Sequence, residues 1–383
     1  CPNWLLIEVA IENGKFRSPL DFELLEYSHS LDMHTAVMSR RLTFKDRKKR
    51  ITTIASERLA SMADPHLGGI RFSVKPENWS GQIKLRSYLD GTVINYGVPR
   101  YRELNSKHLT PISVSESEGA INLEVQTVTS KVRIYMQARH ALLCDGKAAK
   151  CKRQVEHDVG LIAEQFAFSA REGQEYTLEK IVSLYTSKDR DVTDPQGSSQ
   201  SSLSQKPGFS ELQDAHERAW RGLWDRSDIR IEGDRFAQQA LRLHIYHLFC
   251  TASPHNRRID AGMPARGLHG EAYRGHIFWD ELFIYPFYNL RFPEIARALL
   301  LYRYRRLEGA REYAHDHGYR GTMYPWQTAD NGHEETQIIH FNPVSGKWDP
   351  DLSSRQRHVS IAVAYSVWEY FYCTGDLEFI NEY

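Results

Sequence analysis

The chain has no net formal charge: Lys+Arg and Asp+Glu both number 49. No whole-molecule field therefore draws in nucleic acid or an anionic membrane, although a local cluster can still hold phosphate. Cysteine is scarce and irregularly spaced (Cys1, Cys144, Cys151, Cys250, Cys373), with no CxxC and no Cys/His ligand spacing. That argues against a metal centre, a redox pair and a disulfide framework, and it suits a reducing, cytoplasmic setting. Cys250 and Cys373 fall in apolar helical patterns and are expected as small buried hydrophobes. No apolar run approaches the roughly 18 residues of a membrane helix, and no signal-peptide pattern opens the chain, so no membrane span is expected. The chain opens on Cys1 rather than Met, which points to a natural N-terminus further upstream. HExxH, GxSxG, Walker and GxGxxG patterns are all missing, as is any short repeat.

What is present is a change of period. At 383 residues the chain is long enough for two or three domains. Up to residue 193 apolar and polar residues alternate: Trp4–Ile11, Val37–Phe44, Ile51–Ala55, Ile70–Pro76, Ile83–Leu89, Ile121–Thr127, Val132–Met136 and Leu178–Tyr185. An Asn13-Gly14 turn between apolar runs is a hairpin cue. Strands with one apolar face, closely spaced, predict antiparallel sheets packed as a large sandwich. Residues 194–207 are rich in Ser, Gln, Gly and Pro and read as a flexible linker. A short amphipathic helix follows from Ser210 to about Trp224-Asp225, within a linking segment 194–233.

From Asp234 the period becomes helical. Phe236, Ala240, Leu243 and His247 form one stripe, with Leu241, Ile245 and Leu248 beside it. Further helices are expected over 279–290, from Pro293 to Gly318, and from Gln356 to Gly375, whose glycine suits a C-terminal cap. Helices joined by long aromatic-rich loops predict a toroid of αα-hairpins across 234–383.

The residues with chemistry sit in those loops. Pro264–Leu290 begins as a glycine-punctuated loop (Gly267, Gly270, Gly275) and runs through Trp279-Asp280-Glu281 into an apolar segment. An indole beside carboxylates suits a sugar ring, whose hydroxyls bond a carboxylate while its C–H face stacks on the aromatic. The same residues equally suit a core Trp followed by helix-start acids, and residue chemistry does not separate the two. Tyr324-Pro325-Trp326-Gln327 repeats the theme, and two such loops at one end of a toroid would share a pocket. His333-Glu334-Glu335 reads first as a solvated charge cluster. His244 and His247 lack a carboxylate pair and read as ordinary helix residues. Arg355, Arg357 and His358 suit phosphate, a sugar hydroxyl or a helix start.

Taken together, Gly275–Asp280, Pro286-Phe287, Ala296-Arg297 with Tyr302-Arg303, Tyr324-Pro325-Trp326, Gln356–Val359 and Thr374-Gly375-Asp376 resemble glycoside hydrolase family 65. This family holds inverting disaccharide phosphorylases and acid trehalases. Met62–His66 and Pro76–Gly81 resemble its N-terminal region. The resemblance implies a multi-domain β + α fold: an N-terminal antiparallel β-super-sandwich (1–193), a linker with a helix (194–233) and the first part of an (α/α)6 barrel (234–383). It further implies that Trp279 and Asp280 line the glucosyl subsite, with Trp326 and Gln327 beside them. His333, Glu334 and Glu335 would help select the acceptor, and His358 would belong to the same substrate-binding set. Members often carry Glu where this chain has Gln327. The family's general-acid Glu, its Lys-Gln pair and its phosphate loops are expected beyond Tyr383, and the opening residues look like a point inside the sandwich. The chain therefore reads as an internal fragment, inactive alone. The implied reaction is phosphorolysis of an α-glucosyl disaccharide to β-glucose 1-phosphate, without metal or organic cofactor, in a homodimer. The alternatives are trehalose-type hydrolysis and glycan binding without chemistry.

Overall fold

The computed structural model describes residues 1–12, 14–98, 105–205, 208–268 and 270–383. Asn13 of the hairpin cue, Lys206 and Pro207 of the linker, and His269 of the glycine loop lie outside the described residues. The backbone divides into two compact units: 1–94 with 107–225, and 95–106 with 226–383.

The first unit is an antiparallel sandwich. Its strands are β1 (Ile7–Ile11), β2 (Glu23–Asp32), β3 (Val37–Lys45), β4 (Ile51–Ala60), β5 (Leu67–Pro76), β6 (Gly81–Asp90) and β7 (Leu109–Ser117). They continue as β8 (Ala120–Thr127), β9 (Arg133–Cys144), β10 (Lys147–Ala148), β11 (Lys152–Asp158), β12 (Leu161–Ala170) and β13 (Tyr176–Thr186). One sheet runs β1-β6-β12-β11; the larger runs β2-β3-β4-β5-β13-β9-β8-β7, with β10 beside β9. Alternation aims Ile83, Leu85 and Phe166 of the small sheet at Leu42, Ile54, Phe72 and Leu178 of the large one, and these fill the core.

A polar chain crosses that core. The His140 Nδ1 and Glu164 Oε2 are 2.8 Å apart, and His140 Nε2 lies 2.9 Å from the Ser87 hydroxyl. The connectivity is that of a hydrolase triad, but Ser87 has no exposed surface, so the chain ties the two sheets together. Lys180, equally enclosed, donates to the carbonyls of Trp4 and Tyr88 at 2.6 Å each.

The outer face of the large sheet carries α1 (Pro195–Gln205) and α2 (Phe209–Ser227). Leu203, Phe209 and Leu212 cover Val37, Leu59, Leu67 and Ile181. Residues 195–205 are thus helical, where composition predicted a flexible linker. The reason is a matched polar surface: Ser199 bonds Ser183 and Gln137, and Ser202 meets the Tyr185 hydroxyl at 2.5 Å. Small hydroxyl side chains let the helix lie close without an apolar stripe. α2 begins a residue before the expected cap, because Ser210 Oγ instead accepts from Arg71 at 2.6 Å. Close packing also sets two glycines of β5. A Cβ on Gly68 would lie 2.9 Å from the Trp4 indole, and one on Gly69 would lie 3.0 Å from Leu212 and Phe209 on the opposite face.

The second unit holds α3 (Arg235–Thr251), α4 (Tyr285–Arg291), α5 (Pro293–Tyr304), α6 (Leu307–Asp316), the hairpin β14 (Ile339–Asn342) and β15 (Lys347–Pro350), α7 (Val359–Thr374) and α8 (Leu377–Glu382). Asp234 caps α3 by accepting from Ala237 N–H at 2.9 Å. Of the two apolar stripes on α3, the buried one contains Ile245 and Phe249, while Phe236 is 81% exposed. Cys250 and Cys373 are likewise exposed; both sit on the outward side of their helices, so the expectation of burial fails. The single helix expected from Pro293 to Gly318 is broken at Arg305-Arg306, where both guanidiniums turn onto Asp260 at 3.1 and 3.0 Å. Gly375 ends α7 with φ 65°, as its position foretold. Among the described residues, no helix is long and apolar enough to cross a membrane.

Candidate functional site

A two-residue bridge organises the site. Ile277 N–H donates to Thr328 C=O at 2.9 Å, and Thr328 N–H donates back at 3.0 Å. This brings Phe278-Trp279-Asp280 beside Trp326-Gln327, although the two segments are far apart in sequence. Trp279 precedes a 3₁₀ turn, Asp280–Phe283, that leads into α4.

Under this corner lies a buried ion pair that the sequence reading passed over. Glu281 is 3% and Arg303 2% exposed, with Oε1 and Nε 2.6 Å apart. Arg303 Nη2 donates to Phe278 C=O at 2.7 Å, and the Tyr324 hydroxyl donates to Arg303 C=O at 3.0 Å. One guanidinium-bearing residue therefore fixes both aromatic loops. Burial pushes the Glu281 carboxyl upward, and Arg303 opposes that. Glu281 and Arg303, 22 positions apart, were each legible only as a charge beside apolar sequence, a weak signal that nonetheless fits paired burial.

The result is a cleft of about 270 Å³ whose lining includes Trp279, Asp280, Trp326 and Gln327. Those four candidates share this lining. The cleft also takes in Tyr273, Arg274, Thr336, Gln337, Asp351 and Ser353, which sequence reasoning missed. Tyr273 and Arg274 are consecutive non-glycine residues with φ of 57° and 55°. Left-handed backbone of this kind costs energy and is retained where surrounding structure enforces it, often at functional sites.

The remaining candidates sit behind or beside the cleft. His358 packs edge-on against both indoles, with centroids 4.6 Å from Trp279 and 5.2 Å from Trp326. Glu334 accepts from Trp326 N–H at 2.8 Å, Gln327 N–H at 3.2 Å, Thr336 N–H at 3.1 Å and the Thr336 hydroxyl at 2.5 Å. Its carboxylate thereby holds the loop that presents Trp326 and Gln327. Glu335 N–H donates to Gln327 C=O at 2.8 Å. His333 is exposed, its N–H capped by Asn331 Oδ1 at 2.9 Å.

The electrostatics separate the titratable groups. Burial raises the Asp280 carboxyl, only partly offset by its own backbone N–H and by Arg266. Burial alone would raise Asp351 too, but hydrogen bonds from Ser353 and Gln337 and the nearby His340 hold it below the usual range. Burial, then the Arg274 charge, lowers His276 to about 4. His276 is thus neutral near pH 7, its Nδ1 meeting the Gln327 amide. Aromatic faces, an anionic acceptor, an amide and a guanidinium converge here, a set that grips a hydroxyl-rich ring. No group of three or more His, Cys, Asp or Glu suited to a metal is found among the described residues.

Comparison with known proteins bears on the whole chain. Residues 1–223 match the glycosyl hydrolase family 65 N-terminal domain and residues 242–383 its central catalytic domain. The chain is 42% identical over 379 residues to an uncharacterised glycosyl hydrolase of Mycobacterium tuberculosis, covering 99% of this chain and 29% of that protein. It is 35% identical over 398 residues to a kojibiose phosphorylase of Thermoanaerobacter brockii (100% and 50% covered). A trehalose 6-phosphate phosphorylase of Lactococcus lactis is 34% identical over 388 residues (100% and 48%). The chain spans about half the length of these phosphorylases. A solved structure from the human microbiome, provisionally assigned as a kojibiose phosphorylase, superposes with a TM-score of 0.85 at 20% identity, covering 100% of this chain and 47% of that one. That likeness supports the fold. An antiparallel sandwich followed by helices, matched from end to end by the family's two domains, makes this chain a member of glycoside hydrolase family 65.

Proposed function

We propose that this chain supplies the sandwich, the linking helices and the early helices of an (α/α)6 barrel, divided as 1–193, 194–233 and 234–383, in an inverting disaccharide phosphorylase. The observation that carries the proposal is the cleft in which Trp279 and Asp280 meet Trp326 and Gln327. Asp280 accepts hydroxyl hydrogen bonds from the glucosyl ring, while the indoles cover its C–H surface. Glu334 and His358 hold the walls; His333 and Glu335 lie on the acceptor side.

In the reaction a phosphate oxygen bonds to C1 from the face opposite the glycosidic oxygen. The C1–O bond breaks, and a proton passes to the departing oxygen from a general acid outside residues 1–383. The products are β-glucose 1-phosphate and the acceptor sugar. Phosphate is a co-substrate, and neither metal nor organic cofactor takes part. The phosphorylase relatives, which share about a third of their residues with this chain, support this reading. A homodimer in the cytoplasm completes it.

Trehalose-type hydrolysis is the second reading, and Asp351 favours it: a second ionised carboxylate lines the same cleft. Inverting hydrolysis needs such a partner to activate water. The test is sugar release from kojibiose and trehalose by the full-length protein with and without phosphate. Release should require phosphate and yield glucose 1-phosphate; equal release in its absence would overturn phosphorolysis.

A further inference from the structure

The sandwich unit holds a small cavity that the proposed reaction leaves unused. Its volume is about 70 Å³, and its polar lining is His29, Arg40, Ser56 and Arg58. The strand register puts these four on the inward side of the large sheet. Arg40 lies opposite His29 on one neighbour and Ser56 on the other, Ser56 opposite Phe72, and Arg58 opposite Ile70. Residues paired across strands share a face, and Ile70 and Phe72 belong to the core between the sheets. Both arginines sit on interior strands, β3 and β4, so they are not the inward charges that guard a sheet edge.

The charge here is unbalanced. No carboxylate lines the cavity, and neither Arg40 nor Arg58 has an acidic partner among the described residues. Elsewhere in the sandwich, Arg50 pairs with Asp46, Arg71 with Glu57 and Glu179, and Arg86 with Glu8 and Glu156. Arg58 instead donates through Nη2 to the Met38 sulfur at 2.8 Å, a weak acceptor. Burial, then the Arg40 charge, lowers Arg58 below the ordinary arginine value. A guanidinium nevertheless keeps its proton in a protein, so the repulsion between the two persists. The Ser56 hydroxyl and the His29 ring nitrogens have no hydrogen-bond partner among the described residues either.

The lining selects the ligand. Two guanidiniums, a hydroxyl and an imidazole can all donate, and the excess of positive charge calls for an anion with several acceptor oxygens. The volume equals about two waters at roughly 30 Å³ each. That admits a tetrahedral oxyanion and is too small for a sugar ring.

We propose that this cavity is an accessory site for inorganic phosphate, held between the Arg40 and Arg58 guanidiniums with Ser56 donating to a further oxygen. The site is independent of phosphorolysis in the helical unit. The test is to soak crystals of the full-length protein in selenate, a tetrahedral oxyanion whose anomalous signal marks its position. A peak should lie between the two guanidiniums, and inorganic phosphate should displace it. The peak should vanish in Arg58→Met, while any selenate peak in the helical unit persists. Arg40→Met keeps the inward guanidinium and should need about tenfold more selenate for the same occupancy, the effect of one charge-assisted hydrogen bond. Because Arg58→Met removes an uncompensated charge, its melting temperature without oxyanion should match or exceed the parent's. A peak that survives in Arg58→Met, one that phosphate does not displace, or one seen only at molar selenate (an adventitious ion only) would overturn the assignment. So would a carboxylate of the protein itself seated between the guanidiniums.

Discussion

Asp280 is half-buried at the cleft, and its carboxyl is raised by that burial. A carboxylate that accepts from sugar hydroxyls must be ionised, so binding should fall on acidification at a pH above the ordinary Asp range. Asp280→Asn should remove that pH dependence and weaken glucose binding by ten- to a hundredfold, the range expected from about 1.5–3 kcal/mol for hydrogen bonds to a charged acceptor. Titration calorimetry from pH 4 to 8 checks both; parallel curves for parent and variant would dismiss Asp280 as the acceptor. At this scale Trp279, Asp280, Trp326 and Gln327 were legible, because aromatic and polar groups crowd into glycine- and proline-marked loops. Arg274 lies in the same glycine-marked loop but was passed over, and Asp351 and Gln337 were not legible. Each of the last two sits in unremarkable loop sequence and reaches the cleft only through the Ile277–Thr328 bridge and the chain's return around β14–β15.

Among the elements, α4 and α5 are held at the cleft by Glu281 and Arg303. Breaking a buried ion pair by removing one partner typically costs about 3–5 kcal/mol, because the other charge stays desolvated. Arg303→Met should therefore lower the urea midpoint of the protein, and Glu281→Gln/Arg303→Met together should recover part of the loss. If the single variant unfolds at the parental midpoint, the pair does not hold this corner. Strands β3 to β6, β8, β9 and β13 announced themselves through alternation. β12 did not, because its inward set (Ile162, Glu164, Phe166, Phe168) contains a glutamate, placed there to meet His140. β2 is exposed along nearly its whole length and so carries no one-sided apolar signal. α1 escaped because it buries hydroxyls against hydroxyls, and no hydrophobic period records that.

For the molecule as a whole, the order of sandwich then helices could be read directly from the change of period. The assignment of residues 95–106 to the helical unit could not; Gly97 N–H bonds the Glu271 carboxylate at 2.7 Å, a contact across 174 positions. The sandwich has its own titration. Burial lowers the Lys180 ammonium to about 7 from 10.5. Between those values the unfolded chain binds a proton that the folded one does not, so this group makes stability rise with pH from about 7 to 10.5 and contributes no slope below 7. The stability difference between parent and Lys180→Met should therefore change across that window. A constant difference from pH 6 to 10 would mean that the ammonium stays charged in the core.

Gly68 and Gly69 point to opposite sides of β5, one against the Trp4 indole and the other against Phe209 and Leu212. At that point only a bare backbone separates the interior from the outer helical layer. A wedge driven in from either side must be felt on the other, as with a thin partition between two filled rooms. The bulk that a repacked interior can gain near Trp4 is therefore set by how far α2 can lift.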